Sequence, residues 1–333
     1  MRGSWFLLAL ACTTSFAVPA TAAECGPLQL VTSLPLTPLS PGNVVTVPVA
    51  IGDRPMQFLV DTGGVTSMVT RRTVREMNLS PIKVDGRLIG ISGAYSDEMV
   101  RVPSFTVGKL RQEGGYLAIE PAKEDPNDTR PAAFGGVLGP DMLQKFDADF
   151  DFGGKKLNLI SQNHCEGKVV YWPATATAVV PFAHDAAGHL TFPMTLDGRR
   201  VRAMLDTGAT RTNLNLNVAR GTFGIDTSAP DVEKVGELKG GYTADVYQKR
   251  FKELAADGVI VTNPMITLLP DMIKTTSEPR PTGSLIRDVN AELPELILGM
   301  SVLSKLHVYI ANKEHKLYIT AANPASSTGA PEK

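Results

Sequence analysis

The chain has 333 residues, 43% of them hydrophobic and only 6% aromatic, and carries a formal net charge of −1. That length allows two domains, or one large two-part domain, with a sizeable core. The near-zero charge excludes the overall positive field that would recommend nucleic acid or an anionic membrane surface as partner. With Gly 30 and Pro 24 the chain is rich in turns, which suits a β-rich fold better than a helical bundle.

In chain order, Arg2 gives a short positive start, Trp5 to Ala11 an apolar run, and Ala20-Thr21-Ala22-Ala23 a small-residue cleavage site. Residues 1–23 therefore read as a signal peptide, with the mature protein exported to the periplasm or the medium. The apolar run is too short to span a bilayer, no later stretch reaches the length a span needs, and no stable membrane insertion is expected. A lipoprotein reading with Cys12 as the lipidated residue competes, although Ala9-Leu10-Ala11 is a poor lipidation box. Removing the leader leaves Cys25 and Cys165. An even count in an oxidising compartment favours a disulfide joining the mature N-terminus to the middle of the chain; two unpaired thiols are the alternative.

The rest of the chain is organised by an internal repeat. Val47-Pro48-Val49-Ala50-Ile51 leads through Gly52-Asp53-Arg54 to Phe58-Leu59-Val60-Asp61-Thr62-Gly63-Gly64. Phe192-Pro193-Met194-Thr195-Leu196 leads through Asp197-Gly198-Arg199 to Ala203-Met204-Leu205-Asp206-Thr207-Gly208-Ala209, in register and without a gap. Each reads as a β-hairpin ending in Asp-Thr-Gly. Downstream, Val137-Leu138-Gly139 matches Ile297-Leu298-Gly299, and Leu157 matches Leu317. Between the markers each half carries a Gly-and-Tyr segment, Gly93-Ala94-Tyr95 and Gly240-Gly241-Tyr242. The expected organisation is an N-terminal lobe over 24–165, a C-terminal lobe over 166–322 and a flexible tail over 323–333. Residues 161–178 connect the two repeats, and the surplus around Pro270 to Pro294 reads as a loop.

Asp-Thr-Gly at the end of an apolar strand places a carboxyl where burial penalises its charge, a hydroxyl able to brace the backbone, and a glycine that permits close approach. Two such turns related by approximate twofold symmetry bring the carboxyls face to face. They cannot both ionise comfortably, so one proton is shared; aspartic proteases are the standard illustration of that effect. One triplet alone would be ordinary turn chemistry, and it is the duplication that points to catalysis by Asp61 and Asp206.

The paired motifs resemble those of the pepsin/retropepsin group of aspartic proteases over nearly the whole mature chain. The resemblance rests on Phe58 to Gly63, Ala203 to Gly208, and the two apolar-apolar-Gly strands. Glu76-Met77-Asn78-Leu79 followed by Ile89-Gly90-Ile91-Ser92-Gly93 is closer to the retroviral enzymes. The resemblance implies an all-β fold in two pseudo-symmetric acid-protease-like lobes with the active cleft between them and short helices near each lobe's end. It implies Thr62 and Thr207 as interlocking braces, supported by Gly63 and Gly208, and a flap over Gly90, Ile91, Ser92, Gly93 and Tyr95. Gly240, Gly241 and Tyr242 raise a second flap. The expected activity is endopeptidase cleavage of an extended polypeptide by a water held between the aspartates, in a monomer without cofactor or metal. Gly64 departs from the family, which carries Ser, Thr or Ala there.

Other features invite other readings. Asp147-Ala148-Asp149-Phe150-Asp151 lacks the glycine and final glutamate of a calcium loop and reads as a strand with a polar face. The five histidines, His164, His184, His189, His307 and His315, fall in no metal spacing and read as surface or satisfied core groups. Arg71, Arg72 and Arg75 read as a solvated face, Met77 and Leu79 as core. The rival functions are a peptide-binding protein of the same fold without turnover, and a two-carboxylate glycosidase.

Overall fold

A computed structural model describes residues 25–40, 42–90, 94–121, 129–185, 187–239, 243–270 and 294–322. The predicted leader, the tail, and nearly all of the Pro270 to Pro294 surplus lie outside these.

The two predicted hairpins form through strands Val45–Ile51 with Arg54–Val60 and Leu190–Leu196 with Arg199–Leu205. Alternation drives them. Phe192, Met194 and Leu196 point inward and the intervening residues do not. Asp197 and Gly198 both take positive φ, 47° and 76°, as a two-residue turn matched to strand twist requires. Each hairpin belongs to a ten-stranded sheet, and the two sheets repeat one topology. Phe134–Leu138 lies parallel to Arg54–Val60 and antiparallel to Met68–Val69. Leu296–Leu298 lies parallel to Arg199–Leu205 and antiparallel to Asn213–Asn215. In each half the apolar-apolar-Gly strand thus threads between the strand that enters the Asp-Thr-Gly turn and the strand that leaves it.

Glycine is obligatory at the end of these inserted strands. A Cβ on Gly139 would stand 2.6 Å from the Thr66 carbonyl carbon, and one on Gly299 2.2 Å from the Arg211 carbonyl oxygen. At the far edge of each sheet stands a hairpin, Pro81–Ile89 with Tyr95–Arg101 in the first half and Val232–Lys239 with Thr243–Arg250 in the second.

A third, six-stranded sheet takes strands from both halves, in the order Leu30–Pro35, Lys156–Ile160, Asp147–Asp151, Leu306–Ala311, Lys316–Ala321 and Ala178–Pro181. The seam between halves is Asp147–Asp151 against Leu306–Ala311, with Phe150 opposite Val308. Phe150 is fully buried, as is Phe58 in the first lobe; each contributes about 1.5–3 kcal/mol by leaving water. The fold is all-β in two pseudo-symmetric lobes of the acid-protease kind.

Among the described residues, four short helices interrupt the strands. Pro140–Leu143 and Met300–Leu303 follow the inserted strands, as anticipated near each lobe's end. Arg71–Glu76 and Leu216–Phe223 were not anticipated. Their signals are local: Thr70 accepts a hydrogen bond from Thr73 N–H, Asn215 accepts from Asn217 and Val218 N–H, and Gly224 closes its helix at φ 63°.

Of the arginines of the first of these helices, Arg75 is exposed as expected, but Arg71 and Arg72 do not form a merely solvated face. Arg71 pairs with Glu98 at 2.9 Å, and Arg72 donates to the carbonyls of Pro131 and Phe134 at 2.7 and 3.1 Å. They bind the helix to its own sheet. Met77 and Leu79 pack against the core.

The polar face of Asp147–Asp151 is turned inward. Asp147 accepts from Asn312 N–H and Tyr309 OH and meets His164 Nε2 at 2.6 Å. Asp149 meets His307 Nε2 at 2.6 Å, and Trp172 stacks on the His307 ring at 3.8 Å. Two of the histidines are therefore satisfied core groups. Adjacent to His164, Cys165 is joined to Cys25 in a disulfide with a Cα separation of 4.7 Å.

Candidate active site

The two Asp-Thr-Gly turns meet where the lobes join. Thr62 N–H donates to Thr207 Oγ1 and Thr207 N–H donates to Thr62 Oγ1, both at 3.1 Å. Thr62 Oγ1 then donates to the Leu205 carbonyl at 2.8 Å and Thr207 Oγ1 to the Val60 carbonyl at 2.7 Å. Each hydroxyl accepts from the opposite backbone while donating to the strand that leads into the opposite turn. Both side chains are buried, so every one of these groups would be left unpaired by losing its partner.

The glycines of the triplets occupy the remaining space. A Cβ on Gly63 would stand 2.3 Å from the Asp206 carboxyl carbon, and one on Gly208 2.6 Å from that of Asp61. Any side chain there would push the carboxyls apart. Asp61 and Asp206 are consequently close enough to hydrogen-bond one another. Gly63 N–H donates to Asp61 Oδ1 at 2.9 Å, and Gly208 and Ala209 N–H donate to Asp206 Oδ1 at 2.8 and 3.0 Å.

Electrostatics separates the two. Burial pushes Asp61 up from its ordinary value, opposed by the Gly63 and Gly64 N–H groups and by the bond to Asp206. Burial pushes Asp206 up further, and the neighbouring charge of Asp61 adds to it. Both are thus held toward their protonated forms, and since two carboxyls in contact cannot both ionise comfortably, the pair keeps one proton between them. Such a pair can polarise a carbonyl from one side while abstracting a proton from water on the other.

Gly64 stands against this pair. A Cβ there would approach Asp61 Oδ2 to 3.0 Å, so glycine gives the carboxylate room at the position where the family carries Ser, Thr or Ala.

Of the predicted flap residues, Gly90 and Tyr95 are described. Gly90 N–H donates to the Ala94 carbonyl at 2.8 Å, and the Tyr95 side chain is exposed. Ile91, Ser92, Gly93, Gly240, Gly241 and Tyr242 lie outside the described residues. A cavity of about 500 Å³ lined by Phe182, Phe192, Arg200 and Glu295 contains neither aspartate, and it offers no comparable chemistry.

Sequence reasoning missed His189. It follows a turn in which the Asp185 carboxylate accepts from Ala187 and His189 N–H, and its charge acts on Asp61. No local motif marks it.

A family model for aspartyl proteases matches residues 47–141 and 192–302, that is, both copies of the repeat with their Asp-Thr-Gly turns and apolar-apolar-Gly strands. No curated protein matches the sequence significantly. Among solved structures, basic 7S globulin from soybean is similar at 11% identity, with 88% of this chain and 94% of that chain covered and a TM-score of 0.47. The chain belongs to the aspartyl protease family.

Proposed function

We propose that this protein is an aspartic endopeptidase in which Asp61 and Asp206 are the catalytic pair. The observation that carries this reading is the reciprocal locking of Thr62 with Thr207, which holds the two carboxyls in contact where the lobes join. Asp61, ionised, takes a proton from a water bound between the two; Asp206, protonated, donates to the scissile carbonyl. The resulting hydroxide attacks the carbonyl carbon as Asp206 passes its proton to the carbonyl oxygen. The diol then collapses, the C–N bond breaking as Asp61 hands its proton to the departing amine and Asp206 recovers one from the diol, so no acyl-enzyme forms. Below the Asp61 ionisation both carboxyls are neutral and no base remains. Above that of Asp206 no acid remains, so the profile against pH is bell-shaped.

The substrate is a polypeptide lying extended beneath the Pro81–Ile89/Tyr95–Arg101 hairpin, paired to it through main-chain hydrogen bonds. Tyr95, exposed on that hairpin, is suited to contact it. The corresponding hairpin of the second half, Val232–Lys239/Thr243–Arg250, occupies the equivalent sheet edge and supports a second flap. Two half-sites in one chain suit a monomer, and the Cys25–Cys165 disulfide suits an oxidising compartment outside the cytoplasm.

The mature protein and Asp61→Asn are compared on an unstructured protein substrate between about pH 3 and 7. Cleavage by the wild type and at least a thousandfold loss in the variant are expected. Equal cleavage in both would remove the pair from the mechanism, and none in either, with saturable peptide binding, would leave a binding protein of this fold.

A further inference from the structure

Strand alternation fixes which side chains share a face with the paired aspartates. Phe58 and Val60 are fully buried in the first lobe, so Leu59 and Asp61 leave the strand on its opposite face. Ala203 and Leu205 are buried in the second, so Met204 and Asp206 do the same. Residues level with one another across paired strands stand on one face of the sheet. Each ladder therefore continues Leu59 or Met204 sideways, from beside its aspartate out to the hairpin at the sheet's edge.

In the first half Leu59 is level with Val137, Val137 with Met68, Met68 with Ala118, Ala118 with Met99, and Met99 with Ile82. Every member is apolar. In the second half Met204 is level with Ile297, Ile297 with Asn213, Asn213 with Thr267, Thr267 with Gln248, and Gln248 with Glu233. Beyond Ile297 every member is polar. The two are one row of the repeat, because the 145-residue spacing of Thr62 and Thr207 also relates Leu59 to Met204 and Met68 to Asn213.

Neither row is core. Val137, Met68 and Met99 are half-buried, while their chain neighbours Leu138, Val69 and Val100 are buried. Ile297 and Asn213 are likewise half-buried beside buried Leu298 and Leu214, and Gln248 is half-buried too. The amides of the second row are oriented by partners of their own: Asn213 Nδ2 donates to the Arg211 carbonyl at 2.9 Å, and Gln248 Nε2 to Glu233 Oε2 at 2.7 Å. Each also carries a carbonyl oxygen that can accept from a ligand.

We propose that the cleft is asymmetric in specificity. On one side of the cut bond Val137, Met68, Ala118 and Met99 take an apolar substrate side chain; at the equivalent position on the other side Asn213, Thr267 and Gln248 take a hydrogen-bonding one. An extended peptide crosses both lobes along the local twofold that relates the turns, so positions equidistant from the cut meet equivalent rows. An apolar side chain against the second row would strip water from its amides without replacing their bonds, which discriminates more strongly than a misfit in an apolar pocket. This deepens the protease reading and rests on it.

The test begins with mass-spectrometric mapping of the cuts that the mature protein makes in a randomised peptide library. Of two positions equidistant from the cut, one should be enriched in Leu, Ile, Val or Met and the other in Asn, Gln, Ser or Thr. Two double variants then exchange the rows, each taking the residues of the other half: Asn213→Met with Thr267→Ala, and Met68→Asn with Ala118→Thr. On matched peptides that differ only at the polar position, the first exchange should shift the kcat/KM ratio toward the apolar peptide by about tenfold or more. The second should shift it the other way at the apolar position. The same peptides are titrated against Asp61→Asn by fluorescence anisotropy, where turnover does not interfere. Cleavage with the same apolar preference on both sides, or with preferences that no folded exchange moves, overturns the inference and leaves the protease reading standing. Binding with the expected asymmetry but no cleavage by the wild type upholds the rows and sinks the protease reading. Neither binding nor cleavage sinks both. Should neither exchange fold, the wild-type cut map decides alone.

Discussion

At the scale of single residues, the site is a compromise between burial and charge. Asp206 has its proton affinity raised by burial and by its partner. Its folded-state value lies above the unfolded one, so the stability it contributes is fully present below about pH 4 and is lost as pH rises through the folded value. Asp206→Asn has no such titration. The variant should melt close to the wild type at pH 4 and higher by pH 8, by on the order of 5 °C, while cleavage is abolished. Calorimetry across that range checks the sign, and a gap that narrows with rising pH contradicts it. Both aspartates and both threonines were legible in the sequence because the triplet occurs twice in register. The tie of the His189 loop to Gln144, through the Gly188 carbonyl, was not, because a contact across the lobe boundary leaves no local pattern.

At the scale of elements, the inserted strands decide where the turns sit. Phe134–Leu138 and Leu296–Leu298 each lie between two strands of their own sheet, and Asp61 N–H and Asp206 N–H donate to the carbonyls of Leu138 and Leu298 at 3.0 and 3.1 Å. Gly299 makes the second insertion possible, with the Arg211 carbonyl where a side chain would go. Gly299→Ala should cost about 1–3 kcal/mol by overpacking against backbone that has no rotamer to relieve it. It should also reduce activity more than it reduces stability, since Met300 N–H donates to the Ala209 carbonyl beside the second turn. Chemical denaturation and kcat/KM on the same preparation separate the two effects. The hairpins were readable from alternation and turn residues, and the inserted strands from the duplicated apolar-apolar-Gly marker and the resemblance it carries. The helices Arg71–Glu76 and Leu216–Phe223 were not, because each is too short for a helical period to register and is specified by its caps. Arg71 and Arg72 on the first were misread as solvent-facing, since their acceptors Glu98, Pro131 and Phe134 are remote in sequence.

At the scale of the whole molecule, the halves are joined by the six-stranded sheet and by the buried contacts of Asp149 with His307 and of Asp147 with Tyr309 and Asn312, while the disulfide ties the start of the first lobe to its end. The Cys25–Cys165 bridge closes a sequence separation of 140 residues. A loop of that size restricts the unfolded chain by about 4–5 kcal/mol in the chain-entropy model, and measured effects are more often about 2–4 kcal/mol. Replacing both cysteines by serine should lower the unfolding free energy by that amount in chemical denaturation and leave kcat/KM within about twofold, because the bridge lies at the joining sheet and not among the groups that contact Asp61 or Asp206. A large loss of activity at full stability would show that the sheet transmits strain to the turns.

The sequence by itself determined the repeat, the two lobes and the residues that form the paired turns, because alternation, turn chemistry and the Asp-Thr-Gly triplet act over a few neighbours in the chain. Only the tertiary structure decided what surrounds each copy: how burial and a facing carboxyl push both aspartates toward their protonated forms, and why the aspartates of a polar strand are buried. Each of those depends on Coulomb and desolvation terms that vary with distance in space. Two identical triplets acquire different proton affinities only when the lobes close around them.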